Sequence, residues 1–312
     1  MKISNTLLLI LFPILLSAQS QIELIFPETH YAEAVAYTPD EKMLLSIGSG
    51  LVKFWETTDG HLLRTVPLDD ATSTGFRNTR NLTVSADGQW AALTESEQVF
   101  LLNLNTLQVQ NKIATGDAFE YAVFTPDGTG IMVAGHEGSN LNSYFVKRIE
   151  VATGAVSPVR KWVAPSLGTH FIGNLSFNAA GNRLLVYDAL MGSWMIDLNT
   201  NRLVKATEAP LCLHSFLPNG HILATTGEND SKYNLEEIDP ATWKPVRPAQ
   251  TVFTGENGVE PQFGAFIVGN SAGKMLIYNS GEYCRFDAQT FELSEKQAMD
   301  TPELGMINQA NI

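Results

Sequence analysis

The amino-acid sequence repeats one pattern of short strands six times, and this repetition limits the possible fold more than any other feature. Each copy contains an apolar strand, a tight turn, a second apolar strand, and a third strand that ends in an apolar residue followed by an acid or Asn. Turns of this kind favour Asp, Asn, Pro and Gly, each for its own backbone preference. The clearest turns are Pro39-Asp40-Glu41, Ala86-Asp87-Gly88, Pro126-Asp127-Gly128 and Pro218-Asn219-Gly220, and weaker ones are Ala179-Ala180-Gly181 and Ser271-Ala272-Gly273.

The first copy shows how the residues predict individual strands. Ala34–Tyr37 is predicted as an inner strand, and residues 43–47 form an apolar run typical of a strand with both faces buried. Leu51–Glu56 is the third strand, and residues 61–66 alternate in polarity, as an outer strand with one wet face does. No stretch shows sustained helical periodicity. Repeats of roughly 40–50 residues built from short strands are typical of β-propellers, so we expect an all-β ring of four-stranded antiparallel blades.

These residues resemble the WD-repeat β-propeller family, especially its divergent secreted bacterial members, over about residues 22–299. In the first repeat, Trp55-Glu56 is similar to the Trp-Asp of the family, residues 37–40 to its turn, and Thr29-His30 to its Gly-His. The loop Asp of the family's buried His/Ser/Asp/Trp hydrogen-bond network is missing even here, so we expect no such network and blades held mainly by apolar packing. Later repeats replace Trp-Asp with Leu102-Asn103, Ile149-Glu150, Ile196-Asp197, Ile238-Asp239 and Phe286-Asp287.

Residues 1–20 have the composition of a secretory signal peptide. Lys2 precedes an apolar run at residues 7–16, and small residues surround the expected cleavage point at Ser20. The apolar run is too short to span a bilayer. We therefore expect a secreted or periplasmic protein without membrane insertion, in which residues 21–312 form the propeller.

The number of blades stays open at this stage. Residues 22–26 read as an outer strand ahead of the first repeat, although residues 292–298 already supply an outer strand to the sixth. Residues 306–312 read as the start of a seventh repeat. One interpretation is six full repeats plus the start of a seventh, in a chain truncated within a longer protein that continues past Ile312. The alternative is a six-bladed ring.

The net charge of the chain limits the classes of molecule that we expect it to bind. The formal net charge is −13, and an acidic surface repels the phosphates of nucleic acids, so a nucleic-acid partner is not expected. Acidity also promotes solubility, which needs no partner. We expect a protein partner.

The search for chemistry yields no catalytic, cofactor-binding or metal-ligating residue. The acidic segments Asp69-Asp70 and Glu228-Asn229-Asp230 lack the spacing of an EF-type calcium loop. No nucleophile elbow, phosphate loop or dinucleotide fingerprint appears. His136 stands beside Glu137 in the Gly-, Asn- and Ser-rich segment 135–143, which reads as a solvated loop. The histidines lack ligand spacing and are His30, His61, His136, His170, His214 and His221.

Cysteine, tryptophan and asparagine residues have structural interpretations. Cys212 and Cys284 are the only cysteines, and they form either a disulfide or two buried thiols. Two Asn-x-Ser/Thr motifs, at Asn81 and Asn174, fall in predicted inner strands, so both are interpreted as strand residues rather than glycosylation sites. Among the tryptophans, Trp90 and Trp194 are predicted in the core, whereas Trp162 and Trp243 are candidates for a surface site.

Two function classes follow. The first is a non-catalytic interaction or scaffold module; the resemblance implies that such propellers accompany other domains, including caspase-like peptidase domains. The second is a secreted propeller enzyme, similar to lactonases or quinone-type dehydrogenases, with catalytic side chains at the starts of the inner strands. Those positions show no clear acid/base or ligand set, which favours binding. They are Tyr31-Ala32-Glu33, Arg80-Asn81, Phe119-Glu120, Phe171-Ile172-Gly173, Leu211-Cys212 and Pro261-Gln262.

Overall fold

The computed structural model describes residues 34–48, 50–68, 79–95, 97–114, 117–137, 140–163, 172–188, 192–207, 212–228, 232–254, 266–269, 274–279, 282–294 and 297–298. The predicted signal peptide and the strands predicted at 22–26 and 306–312 lie outside these residues, so the number of blades stays a prediction. His30, His170 and Asp69-Asp70 also lie outside them.

The described strands form six antiparallel sheets, each built from strands that follow one another along the chain. Blades 1 to 3 are β1 (Ala34–Tyr37), β2 (Met43–Gly48), β3 (Leu51–Glu56) and β4 (Leu62–Pro67); β5 (Thr79–Val84), β6 (Trp90–Glu95), β7 (Gln98–Asn103) and β8 (Gln108–Ala114); and β9 (Ala118–Phe124), β10 (Gly130–Glu137), β11 (Asn140–Glu150) and β12 (Val156–Val163). Blades 4 to 6 are β13 (Ile172–Phe177), β14 (Arg183–Asp188), β15 (Gly192–Asp197) and β16 (Arg202–Thr207); β17 (Cys212–Phe216), β18 (Ile222–Glu228), β19 (Lys232–Asp239), β20 (Lys244–Pro245) and β21 (Gln250–Thr254); and β22 (Phe266–Gly269), β23 (Lys274–Asn279), β24 (Glu282–Asp287), β25 (Glu292–Leu293) and β26 (Gln297–Ala298). In blades 5 and 6, two short strands share the outer position. The predicted all-β fold of four-stranded antiparallel sheets is confirmed.

The turn after the inner strand is fixed by a hydroxyl and a carboxylate two residues apart. Thr38 Oγ1 donates to Asp40 Oδ1 at 2.7 Å, and the same oxygen accepts the backbone N–H of Lys42 at 3.2 Å. In the next two blades, Gly88 and Gly128 close the turn at a φ of 68°, which glycine adopts without strain. The hydroxyl–carboxylate pair recurs as Ser85–Asp87 and Thr125–Asp127.

The acid or Asn that ends the third strand also has a local role. Asp197 Oδ1 accepts the backbone N–H of Thr200 at 2.9 Å, and Asp239 Oδ1 accepts that of Ala241 at 2.8 Å. These side chains therefore hold the turn that leads into the outer strand, as short polar residues do at turns. Equivalent bonds are made by Asn103 and Asp287.

Apolar side chains fill the space between adjacent blades, as the sequence predicts. Phe54 of blade 1 packs with Leu82 and Phe100 of blade 2, and Leu101 on the other face of blade 2 packs with Phe119 of blade 3. Similar clusters join blade 3 to blade 4, blade 4 to blade 5, and blade 5 to blade 6. Burial of both sheet faces supplies the main stabilisation of such a fold.

A single hydrogen bond between Trp and Ser side chains is buried in blade 1. Trp55 Nε1 donates to Ser46 Oγ at 2.8 Å, and both residues are buried. The complete His/Ser/Asp/Trp network, which the sequence is not expected to form, would include His30, and this residue lies outside the described ones. The bond needs only the third strand and its neighbour, so it does not depend on the missing loop Asp.

The predicted loop at residues 135–143 is mostly strand. β10 continues to Glu137 and β11 begins at Asn140, so blade 3 carries a longer hairpin than its neighbours. Gly135 fits this strand because a Cβ there would lie 1.9 Å from the carbonyl oxygen of Ala118. The composition of residues 135–143 is typical of a loop, but residues 135–137 and 140–143 belong to strands β10 and β11.

The sixth inner strand is described only in part. In the sequence, Phe263-Gly264-Ala265-Phe266 reads as the inner strand of the sixth repeat, and β22 covers Phe266–Gly269. Only Phe266 is common to both ranges, and residues 263–265 lie outside the described residues. The outer strand predicted at 292–298 is present as two short pieces, β25 and β26.

The outer strands are edge strands, and blades 1 to 5 each interrupt that edge with a β-bulge. At each bulge, the pairing with the third strand skips one residue. Bulges twist an edge away from regular pairing and so oppose association with another strand. The skipped residues are Leu63, Gln110, Val159, Val204 and Val252. Among the described residues, no helix is both long and apolar enough to traverse a lipid bilayer.

Candidate functional site

Antiparallel pairing gives each blade two different edges. The turns after the first and third strands lie at one edge, which we call the turn edge. The inner strands begin at the opposite edge, which we call the inlet edge. Catalytic residues of a propeller enzyme were expected at the inlet edge, so its side chains decide between the two function classes.

A β-bulge near the start of the inner strand changes side-chain directions in blades 2 to 5. The pairing between the first two strands of each blade skips one residue there. Bulges of this kind re-aim side chains and are common beside functional sites. The skipped residues are Arg80, Glu120, Gly173 and His214.

The polar residues next to these bulges bind the backbone of the following blade. Each bond joins one inner strand to the next, so together they tie successive inner strands across three blade boundaries. Asn81 Oδ1 accepts Ala122 N–H at 2.9 Å, Glu120 Oε2 accepts Ile172 N–H at 2.7 Å, and Asn174 Nδ2 donates to the carbonyl oxygen of His214 at 2.9 Å. The interpretation of Asn81 and Asn174 as strand residues is confirmed.

Glu120 also contacts His136, which the sequence placed in a solvated loop. His136 is 1% exposed, and its Nδ1 lies 3.3 Å from Glu120 Oε1. The loop assignment is wrong because β10 extends through this residue. Its Nε2, like Asn81 Nδ2, is buried without a hydrogen-bond partner in the described part of the chain.

Tyr144 continues this polar cluster towards blade 4. Its ring lies 4.5 Å from that of His136, and its hydroxyl donates to Asp188 Oδ2 at 3.3 Å. Burial, with the nearby charge of Asp188, raises the pKa of the Tyr144 hydroxyl above its ordinary value. The hydroxyl therefore stays protonated and acts as a donor across the boundary between blades 3 and 4.

Aromatic side chains complete the boundary between blades 3 and 4. The Trp162 ring stacks on Tyr144 at 5.6 Å and lies 5.3 Å from the ring of Trp194. Core packing is confirmed for Trp194 and for Trp90, which packs between blades 2 and 3. The surface assignment of Trp162 is wrong, because its ring packs into the same cluster as Trp194.

Trp243 lies at the turn edge of blade 5. It adopts a φ of 59° in the turn before the outer strand, and Lys205 of blade 4 lies over its ring at 5.5 Å. The side chain is half-buried and packs at the boundary with blade 4. Its indole therefore belongs to the contact between two blades.

His214 is enclosed in blade 5. Its Nε2 lies 2.7 Å from Thr225 Oγ1, and its ring lies 4.4 Å from that of Tyr187. Burial lowers the pKa of His214 to about 4, so the ring is neutral at physiological pH. Cys284 is buried between blades 5 and 6, whereas the side chain of Cys212 lies outside the description, so the question of a disulfide stays open.

A second histidine–carboxylate pair lies at the turn edge of blade 5. His221 Nδ1 lies 2.6 Å from Oε1 of the buried Glu237, and Arg247 Nε lies 2.6 Å from Oε2. Burial alone would raise the pKa of Glu237, but hydrogen bonds from His221 and Asn219 and the charge of Arg247 hold it below its ordinary value. About a third of the His221 side chain is exposed to solvent, whereas Glu237 is buried.

Neither histidine–carboxylate pair has a third potential metal ligand grouped with it among the described residues. Within the residues that the structure describes, no three His, Cys, Asp or Glu side chains are grouped as metal ligands. His61, the remaining described histidine, is exposed and bonds to Asp59 at 2.6 Å in a turn. The bulges and the contacts between blades escaped prediction because no local sequence signal marks the partner strand.

Comparison with known proteins supports the architecture. No family model matches the sequence, and no curated protein sequence matches it. Among solved structures, Kuenenia stuttgartiensis hydrazine synthase is similar with a TM-score of 0.63 and 15% identity, over 83% of this chain and 77% of that chain. The β-propeller domain of Cps50 (Swd1) from Myceliophteria thermophila has a TM-score of 0.61 and 13% identity, over 87% of this chain and 88% of that chain. At these identities the likeness concerns the fold alone, and the fold is a β-propeller.

Proposed function

We propose that this chain is a non-catalytic propeller that binds or holds other proteins in the bacterial envelope, as a divergent secreted member of the WD-repeat propellers. The observation that carries the proposal is the use of Asn81, Glu120 and Asn174 at the inlet edge. A propeller enzyme needs polar groups there that face a substrate. In this chain those polar side chains bind the backbone of the next blade.

The same bonds favour a scaffold role on physical grounds. Side chains that join inner strands, together with apolar clusters between blades, resist movement of one blade against another. A rigid disc presents its connecting loops in fixed positions, and loops held by a rigid frame are the usual sites of binding. The partner is a protein, because the net charge of −13 opposes nucleic acid.

The proposal extends to the full polypeptide. We place this propeller within a longer secreted protein, in which a further domain such as a caspase-like peptidase supplies any chemistry. The propeller then recognises a partner or positions the second domain. This extension rests on the resemblance to secreted WD-repeat proteins described above.

One experiment separates the two function classes. Purified protein from which residues 1–20 have been removed is used as bait in envelope extract, and the same preparation is assayed against a panel of lactones and for quinone-dependent dehydrogenase activity. The proposal expects a saturable protein partner and no turnover. Turnover that is lost in Glu120→Gln or His136→Gln, while the melting temperature is retained, would overturn it in favour of the enzyme class.

A further inference from the structure

One residue in each turn that leads to an outer strand has a left-handed backbone. It lies four residues after the acid or Asn that ends the third strand, and its φ is between 52° and 73°. Glycine and asparagine adopt this conformation readily, whereas a bulky side chain adopts it only under strain. The position holds Gly60, Gly154 and Asn201 in blades 1, 3 and 4, and Leu107, Trp243 and Phe291 in blades 2, 5 and 6.

The turn itself does not require a bulky residue at this position. The N–H of Gly154 donates to the carbonyl oxygen of Glu150 at 2.8 Å, which closes the turn in blade 3. The N–H groups of Trp243 and Phe291 make the equivalent bond to the residue four positions earlier, at 2.7 Å. Because glycine closes the same turn without strain, the reason for the bulky residues lies outside the turn.

For Phe291, the preceding blade supplies that reason. Phe291 is 1% exposed and packs in one apolar cluster with Leu235 and Val252 of blade 5. Gln250 of the same blade donates its Nε2 to the carbonyl oxygen of Phe291 at 2.9 Å, and the guanidinium of Arg247 lies 4.7 Å from its ring. Blade 5 therefore holds both the ring and the backbone of this residue.

Trp243 and Leu107 also lie against the preceding blade. Trp243 packs at the boundary with blade 4, and Nζ of Lys205 in that blade lies 5.5 Å from the centre of its ring. Leu107 packs against the apolar cluster that blades 1 and 2 share. Arg64 of blade 1 donates to the carbonyl oxygen of Thr106, next to Leu107, at 3.4 Å. In all three cases, packing against the preceding blade compensates for the strained backbone.

We propose that Leu107, Trp243 and Phe291 are latches between neighbouring blades. Each residue keeps its strained backbone only while the preceding blade is packed against it. When that packing loosens, nothing opposes the strain and the turn opens, so the turn has two states. A change of packing in one blade is thereby passed to the turn edge of the next, which is a conformational coupling beyond the proposed binding role.

Blade 4 contains the same turn without the strain. Its residues 197–201 and residues 287–291 of blade 6 both begin with Asp, and in both the fourth residue, a Thr, donates its N–H to that Asp. In both, the preceding blade donates a hydrogen bond of 2.9 Å to the carbonyl oxygen of the fifth residue, from Arg160 in blade 3 and from Gln250 in blade 5. The fifth residue is Asn in blade 4 and Phe in blade 6.

Hydrogen exchange at the amides of Thr200 and Thr290 reports the opening of these two turns, because each amide is bonded to its Asp while the turn is closed. The protein without residues 1–20 is compared with its variants Arg160→Met and Gln250→Met, each of which removes one donor from the preceding blade. The bond lost with Arg160 is charged and therefore the stronger one. We nevertheless expect the exchange rate to rise about fivefold more at Thr290 in Gln250→Met than at Thr200 in Arg160→Met, because only the turn in blade 6 is strained.

Phe291→Asn gives the turn of blade 6 the residue that blade 4 has, and so removes the strain. In this background, Gln250→Met should raise exchange at Thr290 no more than Arg160→Met raises it at Thr200. Melting curves establish that each variant is folded, and the first comparison does not depend on Phe291→Asn. Equal rises at the two turns, no rise at Thr290, or the same rise with and without Phe291 would overturn the inference. Arg64→Met and Lys205→Met apply the comparison to Leu107 and Trp243.

Discussion

Arg160 of blade 3 donates its Nη1 to the carbonyl oxygen of Asn201 in the turn of blade 4, at 2.9 Å. The outer strand of one blade thereby holds the turn of the next. The contact recurs between other pairs of blades, at sequence separations of 42 and 43 residues, as Arg64 with Thr106 and Arg247 with Thr290. Neighbouring blades are therefore joined at the perimeter as well as near the axis.

Removing the hydrogen bond from Arg160 to Asn201 should measurably lower the stability of the fold. Arg160→Met keeps most of the apolar stem but removes the donor, so we expect the free energy of unfolding to fall by about 1 kcal/mol. Arg202→Met is the matched control, because Arg202 lies on an adjacent outer strand without such a bond. Urea denaturation of both variants measures the difference, and equal midpoints would contradict the role given to Arg160.

Removing the Glu120 carboxylate, which bonds to Ile172 N–H near the axis, should lower the stability of the fold by more than the loss of the Arg160 bond does. Glu120→Ala leaves Ile172 N–H and His136 without their carboxylate, so we expect a loss of about 3 kcal/mol in the free energy of unfolding. Glu120→Gln keeps an oxygen for Ile172 N–H and should lose clearly less. Denaturant unfolding compares the two, and the same loss in both would show that the hydrogen bond to Ile172 contributes little.

The lowered pKa values of the turn aspartates predict that the fold loses stability at acidic pH. Hydrogen bonds from Thr38, Ser85 and Thr125 lower the pKa values of Asp40, Asp87 and Asp127, with backbone N–H groups adding to the effect. A carboxylate with a lowered folded-state pKa stabilises the fold above its unfolded pKa of about 4, and this contribution is lost as pH falls through the folded value. We expect the melting temperature to drop below about pH 4.

The corresponding triple variant, Asp40→Asn/Asp87→Asn/Asp127→Asn, keeps the acceptor oxygens but cannot titrate. Its melting temperature should start lower and change less below about pH 4 than that of the parent. The measurement is the melting temperature as a function of pH. Parallel curves for the two proteins would mean that these turns do not account for the acid sensitivity.

The lowered pKa of His214 predicts a second pH-dependent change in stability, at a higher pH than the change caused by the turn aspartates. Burial lowers its pKa to about 4 from the ordinary 6.5, so the unfolded chain binds a proton more readily between these values. The contribution of neutral His214 to the stability of the fold is therefore fully present above pH 6.5 and declines as pH falls towards 4. His214→Gln, compared with the exposed His61→Gln, should remove this dependence of the free energy of unfolding. A decline of unchanged slope in His214→Gln would contradict the prediction.

The strands and turns were predictable because their signals are local. Apolar runs such as residues 43–47 and turn residues such as Asp87-Gly88 carry the information within a few positions. The same reasoning failed at residues 135–143, where small and polar residues suggested a loop. In that segment Gly135 allows the close approach of the Ala118 carbonyl, a contact that depends on a residue seventeen positions earlier in another strand, as Ala118 pairs within the sheet of β10.

The candidate site was less predictable because its partners come from other blades. Glu120 was singled out at the start of an inner strand, but nothing nearby in sequence indicates Ile172 as its partner. The same holds for Arg160 and Asn201, which meet only after the sheets pack. Which side chains bridge two blades depends on how the sheets pack against each other. A pattern within a single sequence does not show which distant residues come into contact.

A crystal structure of residues 21–312 tests the central claim most directly. The account predicts four-stranded sheets arranged around an axis, with the Glu120 carboxylate bonded to Ile172 N–H across the boundary between blades 3 and 4. Sheets stacked as a continuous sandwich would contradict the fold. Carboxylates of the inlet edge that face the central channel, without bonds to the next blade, would contradict the scaffold function.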